Sequence, residues 1–396
     1  MHLTAENAVA RLKISRATLY AYVSRGLVRA APDTADPRRR LYLAEDIERL
    51  ASRKARGRAP ARVAAATLDW GLPVLDSAIT LIDGGRLHYR GQDAAKLAET
   101  AGLEQVARLL WNCGRSNPFT LAMPSPPHPW AAMANRLGGL APVERAQALL
   151  PLMPEVGLAA WRREASRLWP VAANLLRHVT AAVTLAAPSG MPIHRQLAEA
   201  WDVDDNGAET IRAALVLSAD HELNASTFAV RVVASTGASL AACIAAGLAA
   251  LSGPRHGGLT AQVEALFDEI DQAGNAEQVV ESRLARGDQL PGFGHPLYRD
   301  GDPRARALLA SLPADRTREA LLDAVGHLGG WLPNIDLALT AMRRALKLPR
   351  GSALATFAIG RTTGWIANAL EQQADGKLIR PRARYAGPVP QTAGAA

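Results

Sequence analysis

Residues 291–304 read PGFGHPLYRDGDPR, and they carry the strongest signal for the fold and function of this chain. Glycines on both sides of His295 allow tight backbone turns, and Pro296 disfavours a helical conformation at the histidine. The stretch therefore predicts a loop that presents an imidazole. Arg299 and Arg304 follow within one or two helical turns, and guanidinium groups suit carboxylate or phosphate oxygens. We expect an anionic ligand at this loop.

Taken alone, a loop rich in glycine and proline is as often a solvated connection as a site. Five further segments accompany this one, each with a histidine, an aspartate or an arginine. They are ADHELNAST with His221, LSGPRHGGLT with His256, LPNIDLAL with Asp336, FAIGRTTGWIA with Arg361 and IRPRARYAGP with Arg380. In this order and spacing the segments resemble the citrate synthase family, over residues 68–390.

The resemblance implies a mainly α citrate synthase fold with a large helical domain at residues 67–257 and 351–396 and a small helical domain at residues 258–350. It implies an acyltransferase that condenses acetyl-CoA with oxaloacetate to citrate and coenzyme A, a reaction of the tricarboxylic acid cycle. The resemblance implies no metal or redox cofactor, and it makes acetyl-CoA a substrate. A homodimer or a higher even oligomer is expected.

The matched residues have the chemistry that such a condensation needs. It requires a base for a weakly acidic proton, a donor for the forming enolate and an acid for the ketone oxygen. The resemblance gives these catalytic roles to Asp336, His256 and His295. Burial beside apolar neighbours would raise the pKa of Asp336 and make it a stronger base. By the same resemblance oxaloacetate is bound by His221, His295, Arg304, Arg361 and the partner subunit's Arg380, and coenzyme A by Arg299.

Three positions depart from the common family pattern and leave substrate choice open. No aromatic residue follows Asp336, Pro296 stands where arginine is common, and Asn368 replaces a frequent histidine. A pocket discriminates one methylene group only weakly, so propionyl-CoA and 2-methylcitrate are an alternative substrate and product. A second alternative is a DNA-binding regulator whose body senses oxaloacetate, citrate or acyl-CoA.

Positive charge is concentrated at the N-terminus. The chain has a net charge of +8, and residues 1–62 hold fourteen Lys and Arg against six Asp and Glu, while the remainder is balanced. Ala5 to Leu12 predicts a short helix, Ser15 can cap a second helix over residues 16–25, and Gly26 ends it. Two short helices joined by a tight turn predict a helix-turn-helix, whose second helix can enter a DNA major groove.

The residues that follow read as a strand, an arginine-bearing loop, a strand and a helix, which resembles the winged helix-turn-helix of the MerR and excisionase type. We expect this domain at residues 1–51, followed by a basic linker at residues 52–66. Its candidate DNA contacts are Arg16, Thr18, Tyr22 and Arg25 on the second helix and Arg38, Arg39 and Arg40 in the wing. A basic domain that docks on another protein is the alternative.

Other features favour a protein of the reducing cytoplasm without a membrane span. Two cysteines, Cys113 and Cys243, cannot make a disulfide framework and have no metal-ligand spacing. Residues 232–254 carry no charge, but they are mostly Ala, Gly and Ser, so the segment suits a buried central helix better than a bilayer. A hairpin is predicted around Gly84 and Gly85.

Overall fold

The computed structural model describes residues 2–12, 14–24, 27–32, 40–48, 50, 75–121, 128–153, 164–383 and 385–387. These residues divide into two compact units, Met1–Asp76 and Ser77–Ala396. The predicted linker at residues 52–66 lies outside the described residues. The large and small helical domains predicted within the second unit stay predictions.

The N-terminal unit combines short helices with a three-stranded antiparallel sheet. Its elements are β1 (His2–Leu3), α1 (Ala5–Leu12), α2 (Arg16–Ser24), β2 (Ala30–Pro32) and β3 (Arg40–Leu43), and residues 44–48 are helical. The strand order is β1-β3-β2. The bounds of α1 agree with the sequence, and the Ser15 hydroxyl accepts a hydrogen bond from the Thr18 backbone N–H at 3.2 Å, as a cap should. Strand β1 was not predicted, because two residues are too few to show alternation.

The small core of this unit determines which face of α2 is free. Leu19 is fully buried, and Tyr22, one helical turn later, packs against the same core. Tyr22 is therefore only partly exposed, whereas Tyr20 is 53% exposed, and the predicted DNA contact of Tyr22 stays a prediction. Arg16 is exposed and forms an ion pair with Glu6 at 2.9 Å. Of the other candidate DNA contacts, Arg25, Arg38 and Arg39 lie outside the described residues.

The second unit begins with a small sheet of order β4-β5-β6, in which β4 is Thr80–Asp83, β5 is Arg86–Tyr89 and β6 is Gln92–Asp93. Gly84 and Gly85 join the first two strands with φ angles of +55° and +72°. Two consecutive left-handed residues match the twist of a tight hairpin, and glycine adopts that conformation without strain. The predicted hairpin is confirmed.

The other described residues of this unit are mainly helical, as expected from its Ala-Leu-Arg composition. The helices are α3 (Ala94–Thr100), α4 (Leu103–Leu110), α5 (His128–Ala134), α6 (Pro142–Leu149), α7 (Ala165–Thr184), α8 (Ile193–Ala200), α9 (Asp205–Leu217), α10 (Ala225–Ser235), α11 (Leu240–Leu251), α12 (Leu259–Ala273), α13 (Ala276–Ala285), α14 (Pro303–Ala310), α15 (Arg316–Gly329), α16 (Ile335–Ala345) and α17 (Ser352–Asp375). Short 3-10 helices cover Pro118–Thr120 and Leu150–Leu152.

Two hydrophobic clusters organise these helices. The larger contains much of α17, which is buried along most of its length, together with faces of α7, α9, α10 and α11. The smaller lies among α12, α13 and α15, with Phe267 and Leu321 fully buried. Leu337 of α16 belongs to the smaller cluster and Leu339 to the larger, so α16 packs against both.

The uncharged segment at residues 232–254 is not one helix. Helix α10 ends at Ser235, Gly237 has a φ of +81°, and the Ser239 hydroxyl caps α11 by accepting from the Ala242 backbone N–H at 3.2 Å. Its small residues do permit close packing, since a Cβ at Gly247 would lie 2.7 Å from the ring of Trp365. Among the described helices none combines the length and apolarity needed to span a bilayer.

Candidate active site

The loop that contains His295 runs from the end of α13 to the start of α14, and it is joined to the segment before α16. The Gly294 backbone N–H donates to the Leu332 carbonyl at 2.8 Å, and the Asn334 backbone N–H donates to the Gly292 carbonyl at 2.9 Å. Asn334 also caps α16, because its side-chain oxygen accepts from the Asp336 backbone N–H at 3.0 Å. The loop and Asp336 are thus positioned by one set of hydrogen bonds.

Two of the predicted oxaloacetate ligands, His221 and His295, contact each other at this loop. His221, from the segment between α9 and α10, has its ring centroid 5.0 Å from that of His295 in an edge-on arrangement. The Tyr298 hydroxyl lies 2.9 Å from Nε2 of His221. Burial is the main cause that lowers the pKa of His221 well below its usual value, and Arg304 and Arg361 lower it further, so the ring is neutral at pH 7.

Arg304 is buried at the start of α14 and is held by a neighbouring carboxylate. Its Nε and Nη2 donate to the two oxygens of Asp302 at 2.9 and 2.7 Å. Burial opposes the charge of Arg304, but Asp302 outweighs it and raises the pKa of the guanidinium. Asp302 also accepts from the Ile335 backbone N–H at 3.1 Å, which ties the arginine to the helix that bears Asp336.

Arg361 is 1% exposed in the middle of α17 and is only partly hydrogen-bonded. Its Nε donates to the Ser218 carbonyl at 3.0 Å, and its guanidinium carbon lies 4.5 Å from the centroid of the Phe357 ring. Its buried Nη2 has no hydrogen-bond partner within the part of the chain that the structure describes. Burial lowers the pKa of Arg361 to about 10, so the group is still a cation at pH 7. A buried cationic donor without a partner, coupled electrostatically to His221 and Arg304, indicates a place for an anion.

A buried carboxylate, Asp220, lies beside this arginine. Its oxygens accept from the Thr80 hydroxyl at 2.6 Å and from the Asn368 side-chain amide at 3.2 Å. Burial raises the pKa of Asp220 to about 6, and Arg361 opposes that rise. Asn368, which the sequence showed in place of a frequent histidine, therefore supports Asp220 by neutral hydrogen bonding.

Asp336 is the partly buried second residue of α16. Burial raises the pKa of its carboxyl to about 6, and the charges of Arg304 and Arg361 oppose that rise. The same two cations act on His221, so the electrostatic neighbourhood of the aspartate is that of the predicted anion ligands. A carboxylate with this raised pKa is a stronger base than a solvated one and is still ionised at pH 7.

His256 lies in the turn between α11 and α12, with Nε2 2.8 Å from the Ser226 hydroxyl oxygen. That oxygen also accepts from the Trp365 indole N–H at 3.2 Å. Burial lowers the pKa of His256 to about 4, so the ring is neutral at pH 7. When Ser226 donates its proton to Nε2, the single ring proton lies on Nδ1, where it can be donated to a substrate oxygen.

A backbone hydrogen bond determines which ring nitrogen of His295 carries the proton. The Leu297 backbone N–H donates to Nδ1 at 3.2 Å, so the neutral ring carries its proton on Nε2. Burial lowers the pKa of His295 to about 4, and Arg304 lowers it further. The ring can thus act as a neutral donor through Nε2.

The sequence-predicted residues fall into two groups. Contacts or shared electrostatics bring together His221, His256, His295, Arg304, Asp336 and Arg361. Arg299 and Arg380 are exposed. Sequence reasoning did not single out Asp220, Ser226, Tyr298 or Asp302, although all four lie inside the quoted motifs.

Comparison with known proteins gives a consistent result. The family model described as citrate synthase, C-terminal domain, matches residues 67–382. A putative citrate synthase 2 of Mycobacterium tuberculosis is 34% identical over 333 residues, covering 78% of this chain and 89% of that protein. Citrate synthase 2 of Bacillus subtilis is 30% identical, covering 80% and 95%. The crystal structure of citrate synthase from Thermotoga maritima superposes with a TM-score of 0.67 at 27% identity, covering 81% and 95%.

Proposed function

Since this chain belongs to the citrate synthase family, we propose that it condenses acetyl-CoA with oxaloacetate and releases citrate and coenzyme A. The observation that carries the proposal for this chain is Arg361, a buried guanidinium whose Nη2 has no partner among the described residues. It shares its electrostatic surroundings with a neutral histidine, His221, and with a base of raised pKa, Asp336. Oxaloacetate is a dianion, which suits such a site.

In the proposed ground state Arg304 and Arg361 hold the carboxylates of oxaloacetate. Asp302 engages Nε and Nη2 of Arg304, so the remaining Nη1 is the donor we assign to the substrate. His221 and His295, both neutral, add hydrogen bonds without adding charge. Fixing both carboxylates orients the ketone carbon toward the thioester.

Carbon–carbon bond formation begins with proton transfer. Asp336 takes a proton from the methyl carbon of acetyl-CoA, and the electron pair moves into the thioester carbonyl to form an enol or enolate. His256 donates the proton on Nδ1 to that oxygen as charge develops. The methyl carbon then attacks the ketone of oxaloacetate, and His295 donates from Nε2 to the ketone oxygen. Water cleaves the resulting thioester and coenzyme A leaves, with no metal or redox cofactor required.

The direct test is release of free thiol from acetyl-CoA in the presence of oxaloacetate, with propionyl-CoA in parallel. We expect kcat/KM for acetyl-CoA to exceed that for propionyl-CoA by about 10-fold or more, because one extra methylene is worth roughly 1–3 kcal/mol in a fitted pocket. A preference for propionyl-CoA would favour the 2-methylcitrate alternative. Oxaloacetate binding without any thiol release would instead favour a metabolite-sensing body.

We propose that the two exposed arginines contact coenzyme A and the substrate of a second subunit. Arg299 lies in the same loop as His295, and we propose that it pairs with the phosphate-bearing end of coenzyme A. Arg380 follows α17, in a segment held by a hydrogen bond from the Ile379 backbone N–H to the Ser235 hydroxyl at 3.1 Å. We propose that it reaches the oxaloacetate of a second copy, which makes the active enzyme a homodimer or a higher even oligomer.

For the N-terminal unit we propose a winged helix-turn-helix that binds DNA. Its support is the order of two helices followed by antiparallel β2 and β3, the whole positive excess of the chain, and exposed basic residues such as Arg16 and Arg40. Thr18 is partly buried on the same helix and hydrogen-bonds with Ser15. Contacts from Arg16 and Arg40 to phosphate oxygens would orient the unit on the DNA backbone.

Deleting residues 1–60 should abolish DNA retention while thiol release remains measurable, because the predicted catalytic, oxaloacetate-binding and coenzyme A-binding residues all lie in the other unit. Retention of a duplex by the full chain should fall steeply with salt, since each phosphate contact contributes a slope of about −0.9 to log K against log salt. The full-length double variant Arg16→Gln, Arg40→Gln is the matched control and should reduce that slope. Retention unaffected by either change would contradict DNA binding and leave protein docking.

A further inference from the structure

Tyr298 makes contacts that the proposed roles do not explain. It is 3% exposed, and its hydroxyl lies 2.9 Å from Nε2 of His221. Its ring centroid is 4.9 Å from that of His295, and the guanidinium carbon of Arg304 lies 5.5 Å from the same centroid. One buried phenol therefore contacts three of the residues that we propose bind oxaloacetate.

The protonation states of Tyr298 and His221 determine which of the two donates the hydrogen bond. Burial raises the pKa of Tyr298 to about 12 and is the main cause that lowers the pKa of His221, so both groups are neutral at pH 7. A neutral imidazole carries one proton, and its other nitrogen needs a donor when it is buried. The proposed donation from His221 to oxaloacetate needs the single ring proton on Nδ1, because Nε2 already faces the phenol. Nε2 is then the acceptor, and the phenol is the donor.

We infer that Tyr298 is a positioning residue for oxaloacetate binding, whose hydroxyl donates to Nε2 of His221 and fixes the orientation and tautomer of that imidazole. The inference rests on the proposed function, because the role of His221 is itself proposed. The bond also joins the loop of His295 to the segment between α9 and α10. A site ordered before the substrate arrives does not pay that ordering cost on binding, so the bond strengthens affinity for oxaloacetate without taking part in proton transfer.

The test is Tyr298→Phe, which removes the hydroxyl and keeps the ring. We expect Kd for oxaloacetate by calorimetry, and KM for oxaloacetate, to rise about 10-fold, because a buried ring nitrogen loses its partner. We expect kcat and KM for acetyl-CoA to stay within about twofold, since Asp336 and His256 are untouched. The matched control is Thr180→Val in α7, which loses a buried hydroxyl that donates to the Leu176 carbonyl at 3.0 Å. It should lower Tm and leave Kd for oxaloacetate unchanged.

A second variant, His221→Gln, separates positioning from general stability. If Tyr298 acts through the histidine, adding Tyr298→Phe to this variant should change Kd by less than about twofold, whereas independent effects would multiply. Multiplying effects, or an unchanged Kd in Tyr298→Phe alone, would overturn the inference. His221→Gln by itself must weaken oxaloacetate at least as much as Tyr298→Phe does. Absence of thiol release from the unmodified protein would count against the proposed function, while the Kd comparison would still decide this one.

Discussion

Asp336→Asn is expected to lower kcat for thiol release about 10³-fold, the effect typical of removing a general base. The amide has nearly the shape of the carboxylate, and the cap of α16 is supplied by Asn334, so the fold should be retained. KM for oxaloacetate should change little, because the arginines that we assign to the dianion are untouched. Deamidation of the introduced amide would regenerate the carboxylate, so an Asp336→Ala variant, which cannot deamidate, should be measured in parallel. A variant that kept more than about a tenth of the wild-type kcat would exclude Asp336 as the base.

The same carboxyl should set the acid limb of the pH profile. Burial raises its pKa to about 6, and only the ionised form accepts a proton, so kcat/KM should fall tenfold per unit as the pH drops below that value. Asp220 also has a pKa of about 6 and is the rival source of the limb. The limb should therefore persist in Asp220→Asn, whatever the loss of overall rate. Asp323→Asn, at an exposed position of α15, should reproduce the wild-type profile in full.

Sequence patterns single out the candidate site residues more readily than the side chains that contact them. His256 and His295 have glycine neighbours, and Arg304 follows an Asp-Pro pair. These local patterns are visible in the sequence alone. Tyr298 and His221 are 77 positions apart, and no local pattern shows that their side chains meet. Asp302 lies two residues from Arg304, but the sequence does not show that both groups are buried and hydrogen-bonded to each other.

Helix register explains other differences between sequence and structure. Whether Tyr20 or Tyr22 is the more exposed depends on the register of α2, in which Leu19 and Tyr22 pack toward the core. The break between α10 and α11 did have a signal, a glycine at 237 followed by a capping serine at 239. The continuous apolar composition of residues 232–254 outweighed it. Composition predicts that a segment is buried, but backbone conformation determines how many helices it forms.

Arg361→Met is expected to raise Kd and KM for oxaloacetate about 100-fold, since losing charged hydrogen bonds to a buried carboxylate costs roughly 3 kcal/mol. Methionine is a flexible apolar side chain that can fill part of the space left by the guanidinium. Burial lowers the pKa of Arg361, so its charge is already costly in the folded chain, and Tm without substrate should not fall in proportion to the lost affinity. At an oxaloacetate concentration 100 times the wild-type Kd, ligand stabilisation should drop from about 2.7 to about 0.4 kcal/mol.

A second buried arginine provides the control for this result. Arg177 of α7 is 2% exposed, and its Nε and Nη1 have no partner among the residues described. Burial lowers its pKa as well. An unpartnered nitrogen alone therefore does not make an anion site, and what distinguishes Arg361 is its electrostatic coupling to His221, Arg304 and Asp336. Arg177→Met should change Tm and leave Kd for oxaloacetate as it was. Equal loss of affinity in both variants would mean that general destabilisation, not the convergence of charges at Arg361, accounts for the effect.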